Sequence, residues 1–411
     1  MQLFYNLGIA IFGLGARLWS LFNERAALLV KGRSGAWQQL NSIDLSGSVI
    51  WVHCASLGEF EQGRPLIEAI RATKPDYKIV LSFFSPSGYE VRKNYDKADA
   101  VVYLPADTRR NARRFIQLIH PEKVFFIKYE YWFHYFKTLS EAGIPLYSVS
   151  SIFRPSQIFF KWYGGWFRKI LRHVTQFYVQ DQTSSKLLNS IGIHNHVVAG
   201  DTRFDRVAAI AKNAAELPVV AEFSQGAKVL VAGSSWPPDE SILAGYINSA
   251  PVNVKFIIAP HEVHEGHISE LIQKFKVPVC RYSQINGTIP VEARVLIIDT
   301  IGVLSAIYRY GSVAYIGGGF GKGIHNTLEA ATYGIPVIFG PNHKKFKEAL
   351  DLIAAGAGFN INTGDEFDKI MSKLWSNDPS TSLLETSGRA AGNYVQSMCG
   401  ATPLIMKDLF R

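Results

Sequence analysis

Cysteine is scarce: Cys54, Cys280 and Cys399 stand far apart in 411 residues and form no CxxC pair. That excludes a cysteine-built zinc site and a disulfide framework, and it fits a reducing compartment. Charge is sparse as well, at 19% of residues, and uneven, with 43 Lys and Arg against 34 Asp and Glu for a formal +9. At 47% hydrophobic the chain is too apolar for disorder. The excess of cations asks for an anionic partner; nucleic acid, acidic lipid headgroups and phosphorylated substrates all qualify. There is no low-complexity tract and no short internal repeat. Two domains of roughly 200 residues each are the expectation at this length.

Two common phosphate signatures and one metal signature are also missing. The glycine-rich stretch IGGGFGKGIHNTLEAATYGIPVIFGP (316–341) holds no GxGxxG triplet, and Gly323 stands where a P-loop needs Ser or Thr after Lys322. A dehydrogenase and a P-loop NTPase both lose ground. HEVHEGH (261–267) is not HExxH, because position 265 is glutamate. His261 and His264 at i, i+3 could still hold a metal, but a polar loop after a strand explains them more simply.

What is present begins at the N-terminus. Residues 3–22, LFYNLGIAIFGLGARLWSLF, are apolar with aromatic edges, interrupted by Asn6, Arg17 and glycines. Arg17, Arg25, Lys31 and Arg33 outnumber Glu24, as the cytoplasmic flank of a membrane segment requires. Residues 1–33 are expected to anchor the chain, spanning the bilayer or lying in its interface; a buried amphipathic core helix is the alternative. No small-residue cleavage site follows, so removal as a signal peptide is not expected.

After residue 47, apolar runs alternate with helical patterns. SVIWVHCA (48–55), KIVLSFF (78–84), AVVYLPAD (100–107), KVFFIKY (123–129), IPLYSVSS (144–151) and QFYVQ (176–180) read as strands. PLIEAIRAT, PSGYEVRKNY and TRRNARRFIQLIH read as helices between them. The pattern restarts near residue 227 with KVLVAGSS, VKFIIAPHE, ARVLIID, VAYIGGG and IPVIFGP. Residues 34–207 and 227–411 therefore read as two Rossmann-like, doubly wound α/β domains facing a cleft, joined by a linker at 208–226. The last helical residues, near 380–411, are candidates to return to the first domain. Ligands of such sheets bind outside the carboxyl ends of the strands.

Four places there carry chemistry. Glu59 and Glu61, in WVHCASLGEFEQGRPLIEAI (51–70), follow an apolar strand as a helix begins; either is a helix-starting ornament or a working base. Glu130, in KYEYWFHYF (128–136), holds the same kind of position and reads as a crevice carboxylate or a solvated loop residue. The glycines at 317–319, 321 and 323 bring backbone N–H groups together ahead of a helix near Asn326, with Glu329 one turn in, placed for a ribose diol; a purely geometric turn is the bland alternative. Ser234 and Ser235, in GSSWPPDE (233–240), cradle a phosphate or cap a helix. In addition, IFRPSQIFFKWYGGWFRKILRHV (152–174) interleaves aromatics with Arg154, Lys161, Arg168, Lys169 and Arg172. It suits stacked single-stranded nucleic acid or a membrane surface, the latter favoured by the N-terminus, and a core helix otherwise.

Together HCASLGE (53–59), YEYW (129–132), GDTRFD (200–205), IHNTLEAA (324–331), IPVIFGP (335–341) and Phe346 resemble the 3-deoxy-D-manno-oct-2-ulosonic acid (Kdo) transferases, which add Kdo to the lipid A precursor. The resemblance implies the twin-Rossmann, GT-B glycosyltransferase fold and inverting transfer from CMP-Kdo without metal or cofactor. It implies Glu59 as general base, with Ser56 and Gly58 beside it, and Glu130 as the second acidic position. CMP-Kdo would meet Ser234, Ser235, Pro260, His261, Gly318, Gly319, His325, Asn326 and Glu329. Family members often carry arginine where this chain has His261, which leaves Arg281 or Lys322 as the phosphate cation. Arg203 stands where lysine is usual, keeping the charge with another geometry. The implied partners are CMP-Kdo, the lipid A precursor and the cytoplasmic face of the inner membrane, with no nucleic acid. Two rival readings stand beside it, a UDP-sugar 2-epimerase-like enzyme of the same fold and a membrane-associated nucleic-acid-binding protein.

Overall fold

The computed structural model describes every residue except 286, 288, 377–381 and 411. The chain divides into two compact units, Met1–Arg206 with Cys399–Arg411, and Val207–Met398.

Unit 1 is a sheet of β1 (Val49–Cys54), β2 (Lys78–Phe83), β3 (Ala100–Tyr103), β4 (Pro121–Ile127), β5 (Leu146–Ser151), β6 (Gln176–Val179) and β7 (His196–Val198). All pairings are parallel, in the order β3-β2-β1-β4-β5-β6-β7. Helices cover both faces, so β1 is buried along its whole length: Val49 and Trp51 enter one core, Ile50, Val52 and Cys54 the other. Double burial is why such a strand reads as an unbroken apolar run. His53 is the polar residue in that run, fully buried.

Six helices shape the site in unit 1: α1 (Gln2–Trp19), α2 (Glu24–Asn41), α3 (Leu57–Thr73), α4 (Pro86–Arg92), α5 (Arg109–Ile119) and α6 (Phe133–Glu141). A helix is expected to begin at Glu59 and Glu61, and α3 starts at Leu57 and keeps Pro65 inside it. Buried Phe60 anchors the first turn, and its N–H reaches the Ser56 carbonyl at 3.0 Å.

Unit 2 repeats the plan with β8 (Lys228–Ser235), β9 (Val254–Pro260), β10 (Val279–Arg281), β11 (Val295–Ile297), β12 (Val313–Ile316), β13 (Val337–Phe339) and β14 (Gly358–Asn360). Its parallel order is β10-β11-β9-β8-β12-β13-β14. The sequence pattern misses β7, β10 and β14. Each is three residues long and lies at a sheet edge.

The stretch expected as a linker is largely helical, with Thr202–Asn213 running through the unit boundary and Pro218–Ser224 following. The C-terminus divides at Gly400, in a left-handed conformation at φ 119°. The helix Leu383–Met398 belongs to unit 2 and the helix Ala401–Leu409 to unit 1.

At the N-terminus, α1 docks on unit 1 along one side. Tyr5 donates to Asp107, Asn6 meets His134 Nε2 at 2.7 Å, and the Tyr5 ring packs on Phe133 and Trp166. Leu3, Leu7, Ile11, Leu14 and Leu18 form an exposed stripe on the other side. No helix among the described residues is long and apolar enough to cross a membrane. With 18 residues α1 reaches only about 27 Å, short of a bilayer core of about 30 Å.

Asp205 ties the C-terminal helix to unit 1, accepting from Gly400 N at 2.6 Å and Thr402 N at 2.7 Å. Asp205→Ala should cost about 1–2 kcal/mol through the lost cap. Calorimetry should then show the melting temperature falling by about 2–4 °C per kcal/mol; an unchanged value would contradict this role.

Candidate active site

Neighbouring strands leave β1 on opposite sides, β2 on one and β4 on the other, so unit 1 has its topological switch between β1 and β4. Glu59 lies just past the end of β1 and Glu130 just past the end of β4. Both carboxylates act on the buried Cys54 thiol, whose pKa burial pushes well up, with Glu59 and then Glu130 adding to it. The carboxylates therefore converge on one strand end.

Glu59 sits in the first turn of α3, half-buried, with Ser56 Oγ donating to its Oε2. No ion pair among the described residues engages it. Glu61, two residues on, is the opposite case: Arg206 and, at 3.3 Å, Arg92 both hold it. Both side chains are half-buried, and among the described residues Glu61 is the ion-paired one while Glu59 is held by the Ser56 hydroxyl. Gly58 is exposed beside it, and a Cβ there would make only ordinary contact.

Glu130 follows Lys128, which adopts φ 69°. Trp132 Nε1 donates to Glu130 Oε2 at 2.9 Å, and the side chain stays 20% exposed. Arg203 pairs with buried Asp201 at 2.9 Å, and Asp201 also accepts from Gln62 of α3 at 2.9 Å. The GDTRFD segment is thereby fastened to the helix that carries Glu59.

In unit 2 the switch falls between β8 and β12. Their carboxyl ends approach so closely that a Cβ on Gly317 would overlap the Ser234 carbonyl, and one on Gly319 would press on the Gly340 backbone. Gly318 and Gly323 take φ 88° and 138°, which favour glycine. Geometry thus accounts for four of the glycines, but not for Gly321, where a Cβ would fit. The Gly317 N–H bonds to Gly233 O and the Gly318 N–H to Asp239, at 2.9 Å each. These two donors are held inside the turn, contrary to the expectation that they face a phosphate.

Ser234 and Ser235 do not cap the following helix. Trp236 stands at the cap of Pro237–Ser249, and its N–H donates to the Asp239 carboxylate at 2.9 Å. Ser235, buried, donates to Glu240 at 3.1 Å, while Ser234 turns the chain at φ 54°. Pro260 ends β9 in register with Ser235. Next to it His261 stacks on Trp236 at 4.4 Å and on His325 at 4.7 Å. Trp236 Nε1 donates to His325 Nε2 at 3.1 Å, which puts the His325 proton on Nδ1. Burial, then His261, lowers the His325 pKa against the opposing pull of Asp239.

The helix expected near Asn326 is only the four residues Leu328–Ala331. Asn326 accepts from Leu328 N at 3.1 Å and donates to Glu329 Oε1 at 3.0 Å, so the pair forms one unit at the helix start. Lys322 is exposed, and with Trp236, Gly318, Phe320 and His325 it lines a cavity of about 470 Å³. A second cavity, about 710 Å³, shares Lys322 and adds Lys344, Lys345 and Asn342. Arg281 is elsewhere: on edge strand β10, it is bound to Glu265 at 2.7 Å and Asp299 at 2.9 Å. Two strands separate β10 from β8, about 14 Å in all. Lys322, not Arg281, is the cation at this cavity. His261 and His264 are not brought together as ligands, and His264 instead caps the helix Glu265–Gln273.

Sequence reasoning passed over His53, Trp236 and Asp239. A polar residue inside an otherwise apolar strand was the available signal for His53; Trp236 and Asp239 gave none beyond their place after β8.

Residues 22–206 match the model of the 3-deoxy-D-manno-octulosonic-acid transferase (kdotransferase) family. A 3-deoxy-D-manno-octulosonic acid transferase of Aquifex aeolicus is 26% identical over 357 residues, covering 85% of this chain and 92% of that protein. One from Rickettsia felis is 26% identical over 351 residues, covering 82% of this chain and 73% of that protein. Among solved structures, the UDP-GlcNAc 2-epimerase of Neisseria meningitidis bound to UDP-GlcNAc aligns with TM-score 0.59 at 14% identity, over 88% of this chain and 99% of that one. That likeness is one of fold. The resemblance carried by the motifs is borne out at modest identity over most of the chain.

Iodoacetamide at pH 8 should leave Cys54 unmodified in native protein, and denaturant should expose all three cysteines, as read by peptide mass spectrometry; native labelling of Cys54 would contradict its burial. For His325, a folded pKa below the unfolded value of about 6.5 adds stability above that pH, lost as pH falls through the folded pKa. Melting temperatures between pH 7.5 and 5 should therefore fall less steeply in His325→Gln than in wild type, and equal slopes would refute this.

Proposed function

We propose that the chain is an inverting glycosyltransferase that moves Kdo from CMP-Kdo to a hydroxyl of the lipid A precursor, with Glu59 as general base. The observation that carries the reading is the contrast at α3: Glu59 lies at a switch point and, among the described residues, without an ion pair, while Glu61 is held by two arginines. The names of the two transferase relatives support the sugar that is transferred.

CMP is a good leaving group, so the protein's main task is to take the proton from the attacking hydroxyl. Ser56 holds one oxygen of Glu59 and leaves the other for that proton. Unit 2 holds the donor at the β8/β12 switch. There the Trp236–His261–His325 stack offers flat faces, the Asn326–Glu329 pair offers polar groups to the nucleoside, and Lys322 meets the phosphate charge as CMP departs. Pairing Glu59 with this donor site assumes the GT-B arrangement of the family.

The acceptor is a lipid, and unit 1 offers apolar surface to meet it. The stripe on α1 is exposed, as are Trp162 at 91% and Tyr163 at 56%. Arg168 is less free than its motif suggested, since it donates to the Phe159 and Lys161 carbonyls. The N-terminus thus lies in the interface of the inner membrane's cytoplasmic face, with Arg17, Arg25 and Lys31 meeting acidic headgroups. The epimerase reading rests on fold alone, which does not carry activity.

Purified protein incubated with CMP-Kdo and tetra-acylated lipid A precursor should give product heavier by one Kdo per transfer. Glu59→Gln should fold, bind CMP and lose about 10²–10⁴-fold in rate, whereas Glu61→Gln should lower stability and keep most of the transfer. A Glu59→Gln variant as fast as wild type removes the base assignment.

A further inference from the structure

We propose that His53 is a positioning residue whose Nε2–H holds the Glu130 carboxylate at the unit 1 switch point. His53 is 0% exposed. Its Nδ1 lies 2.9 Å from Ser82 Oγ, and the same oxygen accepts from Trp51 Nε1 at 2.8 Å. We assign the serine O–H to Nδ1 and the imidazole proton to Nε2, the arrangement that gives the buried hydroxyl proton an acceptor.

That Nε2 is buried without a hydrogen-bond partner. The acidic group it faces is Glu130, whose Oε2 lies 3.9 Å away. A buried donor left open is unusual in a native protein and marks a place where a partner arrives. Glu130 is that partner: its chain leaves β4 through the left-handed Lys128, and its oxygen is already drawn inward by Trp132. A shift of about 1 Å brings oxygen and donor to hydrogen-bond distance.

The Phe126 ring, 4.7 Å from the imidazole, limits the motion of His53, so the carboxylate is the side that moves. The chain Trp51–Ser82–His53 is thus a wire of donors, built in the sheet, that ends at Glu130. Its effect is to fix the direction of Glu130, for which the sequence left a crevice carboxylate and a solvated loop residue both open.

The role in transfer rests on the function proposed above, so the test has an arm that does not. In ¹⁵N-histidine-labelled protein, the His53 signals, identified by their loss in His53→Gln, should report the Nε2–H tautomer. Glu130→Leu should shift the Nε2 signal and Ser82→Ala the Nδ1 signal. An Nδ1–H tautomer, or no response to Glu130→Leu, overturns the proposal whatever the protein catalyses. In the Kdo-transfer assay, His53→Leu should cut the rate about tenfold or more, the scale of a lost charge-assisted hydrogen bond. His53→Gln, which keeps an N–H near the same place, should recover most of that loss. Transfer by wild type with full activity in His53→Leu overturns the positioning role; absence of transfer in wild type overturns the functional reading, and the spectra still decide the contact.

Discussion

In both units the parallel strands to either side of one central strand are connected in opposite directions. Right-handed crossovers then send the loops after β1 and β4, and those after β8 and β12, to opposite faces of their sheets. A gap opens at the carboxyl ends that no side chain of the core can fill. Unit 1 puts carboxylates there, Glu59 and Glu130. Unit 2 puts glycine backbone, stacked rings and a lysine. One topology, used twice, gathers carboxylates at one sheet and stacked rings with a lysine at the other.

The glycine turn shows how the constraint acts on sequence. Strand ends that touch backbone to backbone exclude a Cβ at Gly317 and Gly319, so most of the glycines are there for the fold. Asp239 then fixes the turn from below, taking the Gly318 N–H, the Trp236 N–H and the Tyr315 hydroxyl with a single buried carboxylate. Trp236, Lys322 and His325 line the cavity beside this base, and His261 stacks on Trp236 and His325. A glycine-rich stretch read as a phosphate cradle is here first a packing solution.

Long, doubly buried strands were legible because both faces demand apolar residues; β1, β4, β8 and β9 all stand out as runs. The three-residue edge strands β7, β10 and β14 were not, since a short half-exposed segment carries too few residues to show any period. Glu59 and Glu130 could be found as residues following strands. The ion pairs around them could not, because Glu61 with Arg206, or Arg281 with Asp299, join residues distant in sequence. Arg281 failed as a candidate because it lies on an edge strand and is neutralised by Glu265 and Asp299, neither of which its charge revealed.

The fold shared with a nucleotide-sugar epimerase carries no reaction, because one sheet architecture hosts many chemistries. What the proposed reaction asks of unit 1 lies in how its carboxylates are bound. A base must keep an oxygen open to its substrate, and a carboxylate gripped by two guanidinium groups has none to give. Arg92 and Arg206 close Glu61 in this way, and by taking it they leave the α3 terminus with one open acid. Glu59 is that acid, held through Oε2 by the Ser56 hydroxyl and, among the described residues, by no ion pair.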